Sequence, residues 1–249
     1  MKIEKKEYKK WKIYSAPFLL NKSIGRKIID NSFKTIKILK DTKRNYVAII
    51  EIDNIKYVLK EFRSEIIIPQ RKIMTVFKSG EALTTLENGL EAVEEGINEL
   101  VRPLVALINR KIIIKKSYLV MEYLDGDKIQ TKEDIKKIVE IIKKVHKLGR
   151  YHGDLNTSNF IKVNNEIKMI DTQMKKENKF WLKRSRDFLV LKEDLLVLEL
   201  GIDLERIYPE ILKENGYFLA EKLRKIKKLK VIEYIRDKKR KLREKGWKI

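Results

Sequence analysis

Cysteine is absent from all 249 residues. That excludes disulfides and cysteine-based metal centres and points to a reducing compartment, so the cytoplasm is the expected location. Long apolar runs are missing too. No stretch approaches the roughly 18 residues of a membrane span, and the basic start MKIEKKEYKKWKIY is followed by neither an apolar segment nor a small-residue cleavage site, so it does not read as a signal peptide. The four prolines are scattered, and no internal repeat or low-complexity linker interrupts the chain. Acidic side chains are comparatively scarce, 36 against 58 lysines and arginines, which leaves a net charge of +22. A field of that size attracts polyanions: nucleic acid, an anionic membrane or an acidic substrate. Nucleic acid is not expected as a partner, because no RNP-like, zinc-finger or helix-turn-helix signature accompanies the charge.

What is present is enough apolar material for a core, 43% of residues. Part of the charge follows from the joint abundance of Lys, Ile and Asn that AT-rich coding produces. The rest gathers at one end: residues 221–249 hold 14 basic and 4 acidic side chains. There Leu223, Ile226, Leu229, Ile232 and Ile235 recur about every third residue, the pattern of an amphipathic helix suited either to an anionic membrane or to packing on its own domain.

Hydrophobic periodicity orders the elements. IKILK, YVAIIEID and IKYVLKEF, within residues 36–62, read as three antiparallel strands joined by DTKRN and DN turns. Residues 80–96 carry Ala82, Leu83, Leu86, Leu90 and Val93 at helical spacing, with Gly96 as the stop. VRPLVALI and SYLVMEYL read as two more strands. After the turn at Asp125-Gly126-Asp127 the pattern becomes helical over 132–148, 187–200 and from 219 onward, broken by a small hairpin around Asn164-Asn165. The expected class is therefore α+β: residues 1–124 as an N-terminal extension and a β-rich part with one main helix, and residues 125–249 as a helix-rich part that ends in the basic helix. The first 35 residues receive no assignment.

Between helix and hairpin lies YHGDLNTSNF, residues 151–160. Asp154 and Asn159 are five residues apart in a loop entering a strand, and Asp171 ends the next strand. Hard Mg²⁺ takes oxygen ligands, so a carboxylate and an asparagine carbonyl can hold it against phosphates while a separate carboxylate orients an attacking hydroxyl.

HGDLNTSN resembles the protein-kinase catalytic loop H-R-D-x-x-x-x-N, and IDT stands where that family has D-F-G. The resemblance implies a bilobal protein-kinase-like fold, with the nucleotide-binding lobe in residues 1–124 and the helical catalytic and acceptor-binding lobe in residues 125–249, and it implies Asp154 as catalytic base, Asn159 and Asp171 as Mg²⁺ ligands, and ATP as the nucleotide. It also implies that Lys60, in YVLKEF, holds the α and β phosphates, paired with a helix glutamate, either Glu87 in the middle of the 80–96 helix or Glu91 one turn on. SYLVMEYLDG resembles the segment joining two kinase lobes, with Met121 at the back of the adenine pocket and the backbones of Glu122 and Leu124 bonding adenine. His152 is expected to orient backbone. Three departures stand out. Glycine replaces the arginine of H-R-D, the phenylalanine and glycine of D-F-G are gone, and the DTKRN turn lacks the glycines that cover phosphate, leaving Lys43 and Arg44 to do so with side chains. The first two changes imply a small-molecule or sugar kinase and weaken the case for a switchable protein kinase.

KYVLKEF, MEYLDG, HGDLNTSNFI, IKMIDTQ and EDLLVLELGIDLER together resemble the lipopolysaccharide core heptose kinase family, of the heptose II kinase type, over about residues 36–210. The TSN end of the loop departs from the family's more usual H-x-G-N. This resemblance implies transfer of the ATP γ-phosphate to a heptose hydroxyl of the lipopolysaccharide inner core, at the cytoplasmic face of the inner membrane, whose anionic surface is a further candidate partner. Asp194 would anchor the catalytic loop from a helix start, and Lys175, Lys176, Lys179, Lys183, Arg184 and Arg186 would stand near the anionic acceptor. The competing readings are a kinase for another small molecule or a protein, and a pseudokinase scaffold at the membrane, for which the glycine-free turn is the best support. Oligomeric state is not legible.

Overall fold

The computed structural model describes residues 3–16, 19–177 and 182–227. Two compact units emerge among the described residues: those up to 130 together with 158–176, and 131–157 together with those from 177 on.

The first unit is built on a seven-stranded antiparallel sheet. Its strands are β1 (Glu4–Tyr8), β2 (Trp11–Ser15), β3 (Lys34–Asp41), β4 (Tyr46–Ile52), β5 (Ile55–Glu61), β6 (Pro103–Arg110) and β7 (Ile114–Glu122), in the spatial order β1-β2-β6-β7-β5-β4-β3. The α+β expectation holds, and the five strands anticipated from the sequence are there. β1, β2 and helix α1 (Leu19–Ile29) fill the N-terminal stretch that had no assignment. Asp53 and Asn54 both take positive φ, the conformation a tight two-residue hairpin needs, and so fix the register between β4 and β5. Period-2 alternation then sorts the strand residues onto two faces. Val105 and Leu107 of β6 pack with Ile24 and Ile28 of α1, while Ala106 and Ile108 pack on the opposite side with Leu83, Leu86 and Leu90 of α4 (Glu81–Glu94). α4 sits close on β6 because Gly89 faces Pro103: a Cβ there would lie 2.6 Å from the proline ring. Two short helices, α2 (Ser64–Ile67) and α3 (Pro69–Met74), separate β5 from α4.

Beyond β7 and the two-residue β8 (Asp127–Lys128), the chain forms α5 (Lys132–Lys147) and β9 (Arg150–Tyr151) of the second unit. It then returns to the first unit as β10 (Phe160–Val163) and β11 (Glu166–Met169). β10 pairs antiparallel with both β11 and β8, and Asn164 and Asn165 turn the hairpin with positive φ.

In the second unit, α5 opens on a capping box. The Thr131 hydroxyl accepts from the Asp134 N–H, and the Asp134 carboxylate accepts from the Thr131 N–H, both at 3.1 Å. Its Ile135, Ile138, Val139, Ile142 and Val145 form one buried stripe. The remaining helices are α6 (Leu182–Lys192), α7 (Leu195–Glu199), α8 (Leu204–Ile207) and α9 (Asn215–Lys227), with Phe188 of α6 set edge-on against Tyr208 and Tyr217. Of the basic C-terminal stretch, residues 228–249 lie outside the described residues.

Candidate active site

Lys60, Met121, Glu122, Leu124, Asn159 and Asp171 all border one cavity of about 540 Å³ within the first unit. The folding logic is local to each. Lys60 stands on β5 opposite Leu119 of β7, at the register that also puts Val58 opposite Met121. Val47, Val58 and Ile170 supply apolar walls, and Leu39 and Lys40 close the side formed by β3. At the end of β7, the Glu122 N–H donates to the Arg102 carbonyl at 3.0 Å, whereas the Leu124 backbone makes no hydrogen bond among the described residues. The DTKRN turn is closed by Thr42, whose hydroxyl accepts from the Asn45 N–H at 3.0 Å, and Arg63 braces it through Asp41 and the Thr42 carbonyl.

Asp171 takes a left-handed φ of 52°, which a non-glycine residue adopts at a cost of about 1 kcal/mol, and this aims its carboxylate at β5. There it forms an ion pair with the Lys60 ammonium, which also lies over the Phe62 ring at 5.1 Å. The expected glutamate partner of Lys60 is not found in that place: Lys60 pairs with neither Glu87 nor Glu91. The reason is helical phase. The apolar stripe of α4 and Thr85 and Gly89 face inward, and Thr85 and Gly89 share a crevice with Met121 and Asp171, so positions 87 and 91 fall on the exposed side. Partial burial and the neighbouring Glu91 charge raise the Glu87 carboxyl above its ordinary value. Glu91 pairs instead with Lys176 at 3.0 Å. Asn159 closes a 3-10 turn, and its carbonyl accepts the Ile170 N–H at 2.8 Å, tying the two oxygen-bearing residues of the hairpin together.

Asp154 is exposed on the loop of the second unit, and that loop is held from beneath. Asp187, buried in the middle of α6, accepts the His152 N–H at 2.5 Å and the Gly153 N–H at 3.0 Å. Burial pushes its carboxyl up to about 7, with the like charges of Asp154 and Glu177 adding to the shift against the two N–H donors. Asp194 caps α7 through the Leu196 N–H and accepts both the N–H and the hydroxyl of Thr157 at 2.9 Å. It thus anchors the loop from a helix start, as expected. His152 is buried, and its Nδ1 accepts the Asp154 N–H at 3.4 Å, in keeping with a backbone-orienting role. Asp187 was not foreseen; the one signal for it is a carboxylate placed beside Phe188 and Leu189, residues that must be buried. Arg184 proves structural. Its guanidinium joins Glu177 at 2.6 Å, Glu214 at 3.3 Å and the His146 carbonyl at 2.9 Å, so it is spent inside the unit and does not face an acceptor. Lys179 lies outside the described residues.

The fold class is thereby defined: an α+β, kinase-like fold. The solved structure of WaaP in complex with acyl carrier protein is similar over 86% of this chain and 91% of that one, with a TM-score of 0.52 at 14% identity, a likeness of fold alone. The family model described as lipopolysaccharide core biosynthesis protein (WaaY) matches residues 2–241, and the chain belongs to that family. Curated relatives agree. The chain is 27% identical over 198 residues to the lipopolysaccharide core heptose(II) kinase WaaY of Escherichia coli strain K12, covering 76% of this chain and 77% of that protein. It is 28% identical over 220 residues to a second Escherichia coli protein of the same name, covering 84% and 90%.

Proposed function

We propose that the chain is an ATP-dependent kinase that transfers the γ-phosphate to a heptose hydroxyl of the lipopolysaccharide inner core, working at the cytoplasmic face of the inner membrane. The observation that carries this reading is the single cavity bordered by Lys60, the Met121–Leu124 segment, Asn159 and Asp171, in a chain of the WaaY family. Adenine would lie against Val47, Val58 and Met121, with the Leu124 N–H donating to a ring nitrogen. Lys60 would neutralise the α and β phosphates, an interaction for which its present partner Asp171 is an electrostatic stand-in.

The donor chemistry fits Mg²⁺: Asn159 and Asp171 both border the cavity and offer an amide oxygen and a carboxylate, hard oxygen ligands few enough that phosphate oxygens and water would complete the shell. Mg²⁺ held there would neutralise charge on the phosphates and fix the γ-phosphoryl group. Asp154 would accept a hydrogen bond from the heptose hydroxyl and take its proton as the oxygen attacks in line. Asp187 and Asp194 hold the loop that carries it. In this arrangement Lys60 meets Asp171 and not Glu87, so the reading does not call on Glu87.

The test is Mg²⁺-dependent transfer of labelled γ-phosphate from ATP to a panel of phosphate-free lipopolysaccharide cores. Label on a core heptose that vanishes in Asp154→Ala and in Asp171→Ala, with both variants melting like the parent, is the expected result. Substantial transfer by either purified variant rejects the assignment. No label on any core, with ATP still bound, turns the search to other acceptors.

A further inference from the structure

Helices α2 and α3 and the residues just after them expose apolar side chains that nothing in the fold requires there. Phe77 is 81% exposed and Ile73 63%, with Ile67, Met74 and Val76 also open. Globular surfaces scatter such residues singly; five within eleven positions form a patch. The patch is not isolated. The Ile114 N–H donates to the Thr75 hydroxyl at 3.1 Å, and Arg110 donates to the Lys78 carbonyl at 2.7 Å, which fastens the segment to the turn between β6 and β7. The tip of that turn is Ile112, 70% exposed.

On the other side of Arg110 the same end of the sheet opens into a cleft of about 470 Å³, where Lys10, Lys12, Lys111 and Lys115 surround Trp11, with Glu7 the one acid on its rim. None of these four lysines has an ion-pair partner among the described residues, and Lys78 likewise has none for its ammonium. The sheet register places this cleft and patch together: β2 and β6 meet at Trp11 opposite Asn109, so the β1–β2 turn and the β6–β7 turn lie side by side.

We propose that this end of the first unit is a docking surface for an anionic lipid bilayer, with Ile73, Phe77 and Ile112 entering the interfacial layer and the lysine cleft receiving headgroup phosphates. The combination selects a bilayer over a soluble polyanion, because cations alone would suit either, whereas protruding Phe and Ile side chains gain only where apolar matter lies beneath the charge. The inference rests on the proposed function only for where the acceptor is met; vesicle binding itself needs no turnover, so it can fail while that reading stands.

The chain has no cysteine, so single reporters can be placed in the full-length protein. Phe77→Cys and Ile112→Cys, each carrying an environment-sensitive fluorophore, should brighten and shift to the blue with vesicles containing phosphatidylglycerol. Ile55→Cys, on the turn at the opposite end of β5, should not respond. Unlabelled protein should bind those vesicles at least tenfold more tightly than phosphatidylcholine vesicles, and binding should weaken with salt. Lys111→Ala with Lys115→Ala should lose about fivefold in affinity per lysine, and Phe77→Ser with Ile112→Ser at least tenfold, all without a change in melting temperature. Equal binding by the Phe77/Ile112 variant, silent labels at both sites, equal affinity for the two vesicle types, or inorganic polyphosphate displacing the protein with no fluorophore response on vesicles would each overturn the proposal.

Discussion

Replacing Asp187 by Asn removes the proton site beneath the loop that carries Asp154 and keeps its shape. In the folded protein this carboxyl is raised to about 7 from an ordinary 3.8, chiefly by burial. The fold therefore favours the protonated form, and the stability that form contributes is fully present below pH 3.8, declines as pH rises, and is gone above about 7. One such group changes unfolding free energy by about 1.4 kcal/mol per pH unit within the window, so about three units correspond to ~4 kcal/mol at most.

Asn cannot titrate. Urea unfolding of the parent and Asp187→Asn at pH 4.5, 6 and 7.5 should show the parent losing stability relative to the variant by about that slope, over a constant offset of roughly 1–3 kcal/mol from one amide oxygen serving two N–H donors. The subtraction matters because His146 works the other way. Burial lowers its pKa to about 3, so its contribution is full above the ordinary 6.5 and is lost as pH falls toward 3. It is present in both proteins and cancels. Parallel curves would refute the reasoning, since they would mean that Asp187 is ionised throughout and the loop is not poised by its proton.

Two other perturbations follow from the same geometry. Asp194→Ala removes a helix cap and both bonds to Thr157, so a loss of about 2–4 kcal/mol by chemical denaturation is expected. Turnover should fall more than ATP affinity, because Thr157 lies between Asp154 and Asn159 in sequence. Leu124→Pro deletes the free N–H at the cavity rim without touching the core, and calorimetric titration should show ATP binding weakened about fivefold, the worth of roughly one hydrogen bond. Unchanged affinity would move the adenine elsewhere.

Much of this protein was readable from local chemistry. The Asp53-Asn54 and Asn164-Asn165 turns need positive φ, which short polar side chains tolerate, so two hairpins and their registers could be anticipated. The stripes of α4 and α5 follow from a 3.6-residue period, and the spacing from Asp154 through Asn159 to Asp171 is a property of the chain itself. Asp194 at a helix start came from the family resemblance, whereas periodicity ran one helix over 187–200, which the structure divides into α6 and α7 at Asp194. The N-terminal strands were not: β1 and β2 alternate lysine with few apolar residues, and they are strands because β2 pairs with β6, about ninety positions away in sequence. The partner of Lys60 was likewise decided by tertiary packing. Helical spacing marks which residues of α4 share a face but not which face turns toward β5, and that phase, set by Gly89 against Pro103, puts Glu87 outside and leaves Asp171 to meet the lysine. Asp187 shows the same limit. Periodicity placed it at the start of a helix over 187–200, where a carboxylate reads as solvated, and the structure puts it in the middle of α6, buried under the His152 and Gly153 N–H groups. Sequence by itself determined the elements that carry a clear period or turn, and the spacing of the polar side chains, because both depend on short-range sterics. Which of those side chains meet, and in what dielectric, was decided only when distant segments packed.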